Sequence, residues 1–195
     1  MVFQGTYKLM IEKKSLDLLK ILIGFDTTSF KSNLNLIMFI EDYLNQYKIK
    51  SELVYDETKN KANLFATIGP NSSGGIVLSG HTDVVPVGDI SLWSFDPFGG
   101  EIKDGKIWGR GACDMKSGVA AFSAAAIDYI KETPPDGSIV IAITGDEEGD
   151  ATDGTLAILD WMKAKKYKID ACLVGEPTSV EKIGDTVKIG RRGSM

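Results

Sequence analysis

Three short apolar runs constrain the fold more than anything else in this chain. They are Gly75-Ile76-Val77-Leu78, Ile139-Val140-Ile141-Ala142-Ile143 and Ala171-Cys172-Leu173-Val174. A strand with one wet face alternates apolar and polar residues, whereas a continuous apolar run has both faces covered. Helical patterns separate the three runs: Ser117 to Lys131, with Val119, Phe122, Ala126 and Ile130 on its inner face, and Thr155 to Lys165, with Ile158, Leu159 and Met162 inward. Buried strands alternating with helices indicate an α/β fold, layered helix–sheet–helix, with a largely parallel central sheet and right-handed crossovers.

The rest of the chain fits that frame. Two further helices are expected before the first run. One spans Ser15 to Ile23, with Leu18, Leu19 and Leu22 inward and Gly24 as its stop; the other spans Asn33 to Tyr47, with Leu36, Ile40, Leu44 and Tyr47 on one face. Strands are expected at Glu52 to Tyr55, Asn63 to Ile68 and Thr186 to Ile189, with loops at Pro70 to Gly74 and Gly190 to Gly193. Asp104-Gly105, between Glu101-Ile102-Lys103 and Lys106-Ile107-Trp108, predicts a hairpin with a type I′ turn. Pro134-Pro135 closes the Ser117 helix unit, and residues 1–9 form an unassigned extension.

Composition excludes several functions. A net charge of −5 argues against non-specific nucleic-acid binding, which needs basic patches. No stretch approaches the length of a membrane span, and the start Met1-Val2-Phe3-Gln4-Gly5 has no basic head and apolar core of a secretory leader. Cys113 and Cys172 make no disulfide framework, so a cytoplasmic location is expected.

The chemistry gathers where the apolar runs end. The first leads into His81, the only histidine, and Asp83; the second ends in Asp146-Glu147-Glu148; the third ends in Glu176. Ligands of open α/β sheets bind outside the carboxyl ends of the strands, so these groups should share one rim. Asp114, in a glycine-rich loop before a helix, can return to it. Each group has a plain structural explanation taken singly: a hydrogen-bonded histidine, a solvated acidic turn, a helix cap at Asp114. Together, one imidazole and up to six carboxylates would repel without a cation. Mixed His/Asp/Glu ligands suit zinc, and also cobalt or manganese. Asp114 can bridge two such ions, and one of the paired glutamates can ligate while the other acts as general base. A phosphate loop at Gly109 to Ser117 is excluded by Met115, which stands where that motif needs a glycine.

Ser79-Gly80-His81-Thr82-Asp83-Val84-Val85-Pro86, Gly109-Arg110-Gly111-Ala112-Cys113-Asp114-Met115-Lys116, Gly145-Asp146-Glu147-Glu148-Gly149 and Gly175-Glu176-Pro177-Thr178 resemble, in order and interval, the motifs of the M20 family of zinc amidohydrolases. The resemblance implies a zinc-peptidase-like catalytic domain that a smaller lid and dimerisation domain interrupts. It implies that His81, Asp114 and Glu176 hold a first zinc, that Asp114 and Glu148 hold a second, that Glu147 is the general base and that Asp83 orients His81. Water activated at zinc would attack an amide carbonyl of a small N-acyl amino acid, and Glu147 would pass the proton to the leaving amine. Within the family, Trp93 to Phe98, Gly145 to Gly154 and Gly184 to Ser194 resemble the succinyl-diaminopimelate desuccinylases of lysine biosynthesis, and Arg191 matches their substrate-carboxylate arginine. Phe25 to Ser29, Asn33-Leu34 and Lys61 to Leu64 resemble the acetylornithine deacetylases of arginine biosynthesis. Members complete the second zinc site with a histidine near the C-terminus and form homodimers. Residues 10–195 are therefore expected to be the N-terminal part of the catalytic domain, without lid or distal histidine. Such a chain would be an inactive fragment needing a C-terminal complement, or a non-catalytic metal- or partner-binding remnant.

Overall fold

A computed structural model describes residues 14–70, 74–132 and 136–190. The expected extension at residues 1–9, the middle of the Pro70 to Gly74 loop, Pro134-Pro135 and all but the first residue of the Gly190 to Gly193 turn lie outside them. The elements in order are α1 (residues 14–23), α2 (Leu34–Asn45), β1 (Ser51–Tyr55), β2 (Ala62–Ile68), β3 (Ile76–His81), a 3-10 turn (Ile90–Leu92), β4 (Glu101–Lys103), β5 (Lys106–Trp108), α3 (Lys116–Glu132), β6 (Ile139–Thr144), α4 (Thr155–Ala164) and β7 (Ala171–Val174).

Five strands form the main sheet in the order β1-β2-β6-β3-β7. β3 pairs in parallel with both β6 and β7, and β2 runs antiparallel to its neighbours β1 and β6. Only β2 is therefore reversed, and the sheet is mostly parallel. Alternation along the strands sorts side chains to two faces. Leu64, Ala66, Ile68, Ile141 and Ile143 pack against α1, α2 and α3 through Leu18, Leu22, Leu36, Ile40, Val119 and Ile127. Phe65, Val77, Val140 and Ala142 point the other way, onto Ile158 and Met162 of α4. This is the helix–sheet–helix layering that the continuous apolar runs predict, since β6 is covered on both faces. The β4–β5 hairpin turns through Asp104 at φ 53° and Gly105 at φ 71°, the two positive angles of a type I′ turn.

Four expectations change. β7, read as buried, is exposed at all four residues, because it forms the outer strand and pairs only with β3. No strand forms at 186–189, where no neighbouring strand offers a ladder. Leu159 faces outward on α4, while Ile158 and Met162 are buried. Among the described side chains of α3 the buried ones are Lys116, Val119, Ala120, Ser123, Ala124, Ala126, Ile127 and Asp128, with Phe122 and Ile130 only half-buried. No described helix is long and apolar enough to cross a membrane.

Candidate metal centre

The parallel register brings the strand ends to one rim, since His81 lies opposite Thr144 of β6 and Ser79 opposite Val174 of β7. β3 ends on His81 and the chain continues through Thr82 and Asp83, all three buried. The segment after α1 runs alongside and fixes this backbone. Val84 N–H donates to the Thr27 carbonyl at 3.1 Å, Ser29 N–H donates to the Val84 carbonyl at 3.1 Å, and the Thr27 hydroxyl donates to the Thr82 carbonyl at 2.6 Å.

His81 Nδ1 lies 2.9 Å from the Asp83 carbonyl oxygen and 3.5 Å from Asp83 Oδ1. Donation from Nδ1 to that carbonyl leaves Nε2 as the outward nitrogen, the tautomer a metal ligand needs. Around Nε2 stand Asp114 Oδ1 at 3.1 Å, Glu176 Oε1 at 3.2 Å and Glu147 Oε2 at 3.8 Å. One ligand atom each from His81, Asp114 and Glu148 lie within 4.8 Å of one another. The rim therefore assembles all the expected ligand types around a single imidazole.

Asp83 touches more than its histidine. Its Oδ1 accepts the Glu147 N–H at 3.1 Å, and its Oδ2 accepts the Glu148 N–H at 2.9 Å and the Ser29 hydroxyl at 3.0 Å. One buried carboxylate thus ties the His81 turn to the backbone of the paired glutamates. Burial alone would raise its pKa, but His81 and these N–H donors hold it below the usual carboxylate value.

The basin is strongly anionic. Burial works against an imidazolium at His81, yet Asp83 and then Glu176 outweigh it and hold the ring's pKa up at about 9. Glu148 is shifted upward by burial first, then by the Asp114 charge, with His81 opposing. Burial also lifts Glu176, His81 pulls it back, and Asp114 adds to the rise. Carboxylates crowded until they favour their protons, around a nitrogen that attracts one, suit a divalent cation, which can replace the proton on Nε2 and neutralise the oxygens. The donor set fits such an ion.

Asp146 stands apart from this cluster. Its Oδ1 meets Lys61 Nζ at 3.2 Å, and its Oδ2 accepts the N–H groups of Thr152 and Asp153 at 2.9 and 3.1 Å. It shapes the turn that presents Glu147 and Glu148, so the basin holds fewer carboxylates than the motif suggested. Arg191 lies outside the described residues. Ser29 and Lys116 were missed as supports of the site. Ser29 sits in a Thr-Thr-Ser stretch that reads only as a chain break, and Lys116 reads as the tail of a motif. Lys116 is wholly buried, and its Nζ donates to the Leu22 and Phe25 carbonyls at 2.9 and 2.8 Å. The Asp114–Met115 peptide is cis.

The family model described as peptidase family M20/M25/M40 matches residues 77–190, more than half of the chain and every strand end of this rim. The chain belongs to the M20/M25/M40 peptidase family. Curated M20-type relatives include a succinyl-diaminopimelate desuccinylase of Cereibacter sphaeroides strain ATCC 17029, 64% identical over 134 residues, covering 68% of this chain and 35% of the relative. A second, from Roseobacter denitrificans, is 60% identical over 137 residues with the same coverage. The chain thus spans about a third of the length of these relatives. Among solved structures, human carnosine dipeptidase 1 superposes with a TM-score of 0.74 at 19% identity, over 89% of this chain and 40% of that one. An M20 family metallo-carboxypeptidase of Sulfolobus solfataricus superposes with a TM-score of 0.72 at 20% identity, over 85% and 38%. These superpositions show the shared fold, and the family match gives the hydrolase lineage.

Proposed function

We propose that this chain carries the metal-holding part of a succinyl-diaminopimelate desuccinylase, which hydrolyses the amide bond of N-succinyl-diaminopimelate in the cytoplasm. The observation that carries the reading is the 64% identity to the Cereibacter desuccinylase across 134 residues. The convergence of His81, Asp114, Glu147, Glu148 and Glu176 supports it. In this reading residues 10–195 are the N-terminal part of the catalytic domain, and the remainder of the enzyme adds the lid and the groups that complete a second metal position.

Zinc is the proposed metal, with cobalt or manganese as substitutes. With His81, Asp114 and Glu176 holding a first ion and Asp114 and Glu148 a second, it would polarise the scissile carbonyl and lower the pKa of a water beside it. Glu147, half-exposed with Oε2 3.8 Å from His81 Nε2, reaches the same space. It takes the proton of the attacking water and delivers it to the departing amine, the usual task of a carboxylate free of other partners. Asp83 keeps His81 and the Glu147-Glu148 backbone in fixed relation. Arg191 pairs with a carboxylate of the substrate, for which a planar guanidinium is suited.

The test joins this chain to the C-terminal two thirds of the Cereibacter relative and compares kcat/KM for N-succinyl-diaminopimelate and N-acetylornithine. Preference for the succinylated substrate is expected. Preference for the acetylated one would move the assignment to an acetylornithine deacetylase, and turnover of neither would leave a non-catalytic remnant.

A further inference from the structure

Met115, next in the chain to Asp114, is fully buried. Three glycines make room for its thioether. A methyl group added at Gly80 would lie 2.6 Å from Met115 Cε and 3.3 Å from Sδ; at Gly118 it would lie 3.0 Å from Cε, and at Gly175 3.1 Å from Cε. The Gly80 contact is shorter than real Cβ atoms show, those at Gly118 and Gly175 are tight enough that Met115 Cε would have to give slightly, and at Gly118 the Gly175 carbonyl oxygen, 2.5 Å away, is the closer obstacle.

The positions of these residues in the chain matter more than their number. Gly80 immediately precedes His81, Gly175 immediately precedes Glu176, and Met115 immediately follows Asp114. Gly118 lies in the first turn of α3, which the Asp114 loop enters. The end of the Met115 side chain is thus the common contact of three segments that each deliver one group to His81 Nε2 or its surroundings. A methionine is flexible and polarizable, able to fill an irregular gap between elements at different angles.

We propose that Met115 is a positioning residue for the metal centre, a spacer whose methyl group sets the separation of His81, Asp114 and Glu176. This rests on the reading of those three residues as metal ligands. A shorter side chain lets the ends of β3, β7 and the Asp114 loop close or tilt, and the ligand oxygens leave their places around Nε2. Changes in residues that orient ligands typically cost 10- to 100-fold in metal affinity.

The experiment titrates the 195-residue chain with cobalt(II), reading the dissociation constant and the visible absorption bands, which report coordination geometry. Met115→Leu conserves volume and should fold. It should bind cobalt at least about tenfold more weakly, with altered bands. Gly175→Ala should also weaken binding, by forcing Met115 Cε away. Combining it with Met115→Leu relieves that contact, so the double variant should bind more tightly than the product of the single losses predicts. Met162→Leu, at a buried methionine of α4 packed with Phe65, Val77 and Val140, controls for general stability and should leave the spectrum unchanged. Met115→Leu with wild-type affinity and bands overturns the positioning role, as does multiplicative loss in the double variant. A wild-type chain that takes up no cobalt fails the metal reading itself, and the positioning role with it.

Discussion

Lys116 places an ammonium where almost every other side chain is apolar, and its two bonds explain why it stays. Lys116 Nζ donates to the Phe25 carbonyl just after α1 and to the Leu22 carbonyl, which also accepts the Phe25 N–H at 3.3 Å. Lys116→Met keeps the aliphatic stem and removes the donor that Lys116 supplies to the Phe25 carbonyl and shares at the Leu22 carbonyl, at a cost of about 1–3 kcal/mol. A lowered urea midpoint with an unchanged slope is the expected result. Glu147 and Glu148 present a different contrast. In the chain joined to its C-terminal complement, Glu147→Gln should lower kcat at least about 10²-fold while keeping the metal, because it removes a proton acceptor and not a ligand. Glu148→Gln should release metal instead, and elemental analysis of the two variants would expose an exchange of roles. The residues of the rim were legible because His81, Asp114, Glu147, Glu148 and Glu176 end apolar runs or interrupt glycine-rich turns. Ser29 and Lys116 were not, since their partners lie 54 and 94 or 91 residues away in sequence. Nothing local in a sequence reports which carbonyl a distant lysine will find.

Among the elements, the segment after β7 shows how a sequence pattern can mislead. Thr186-Val187-Lys188-Ile189 has the alternation of a half-buried strand, yet Val187 and Ile189 are exposed and no ladder forms. Alternation describes which side chains could share a face; a strand also needs a neighbour, and that is a property of the sheet. What orders this stretch instead is Asp185. Its carboxylate accepts the N–H groups of Val180, Glu181 and Lys182 at 2.9, 2.8 and 2.9 Å, and the Thr178 hydroxyl closes the loop on the Thr186 carbonyl at 2.7 Å. Those N–H donors hold the Asp185 pKa far below its ordinary 3.8. A depressed carboxylate contributes its stabilisation above the ordinary value and loses it only as pH falls through the lower, folded value. The carboxyl carbon resonance of Asp185 should therefore titrate well below 3.8, and the amides of residues 180–182 should keep their shifts until it does. In Asp185→Ala those amides should already be unprotected at neutral pH. A resonance titrating at the ordinary value would show that the loop is not held this way. Helices α1 and α2 and strand β6 were easier to read, because burial on α1 and α2 follows the helical period and β6 is buried along almost its whole apolar run.

For the molecule as a whole, the asymmetry of the sheet matters most. Among the described residues both outer strands pair on one side only; β1 is half-exposed, whereas β7 is exposed throughout, with apolar Leu173 and Val174 and neighbouring Ile76 on its surface. An open edge with apolar flanks invites pairing with another strand, and charge on the edge blunts it. The 195-residue chain should self-associate as concentration rises, and Leu173→Lys should suppress this in light scattering without changing cobalt uptake. Equal association in both would point to another surface. The sheet's two faces are also unequally covered. Three helices and most of the buried side chains lie on one side, while α4 is held by Ile158 and Met162 over Phe65, Val77, Val140 and Ala142. Opening costs least where the fewest apolar contacts must be broken. α4 is accordingly the layer expected to lift first, and its amides should exchange before those of α1 and α2. Such an excursion bares the back of β6 while Asp83 still grips the Glu147 and Glu148 amides from the other side of the rim. The rim that carries the candidate metal centre would then outlast the loss of one of its walls.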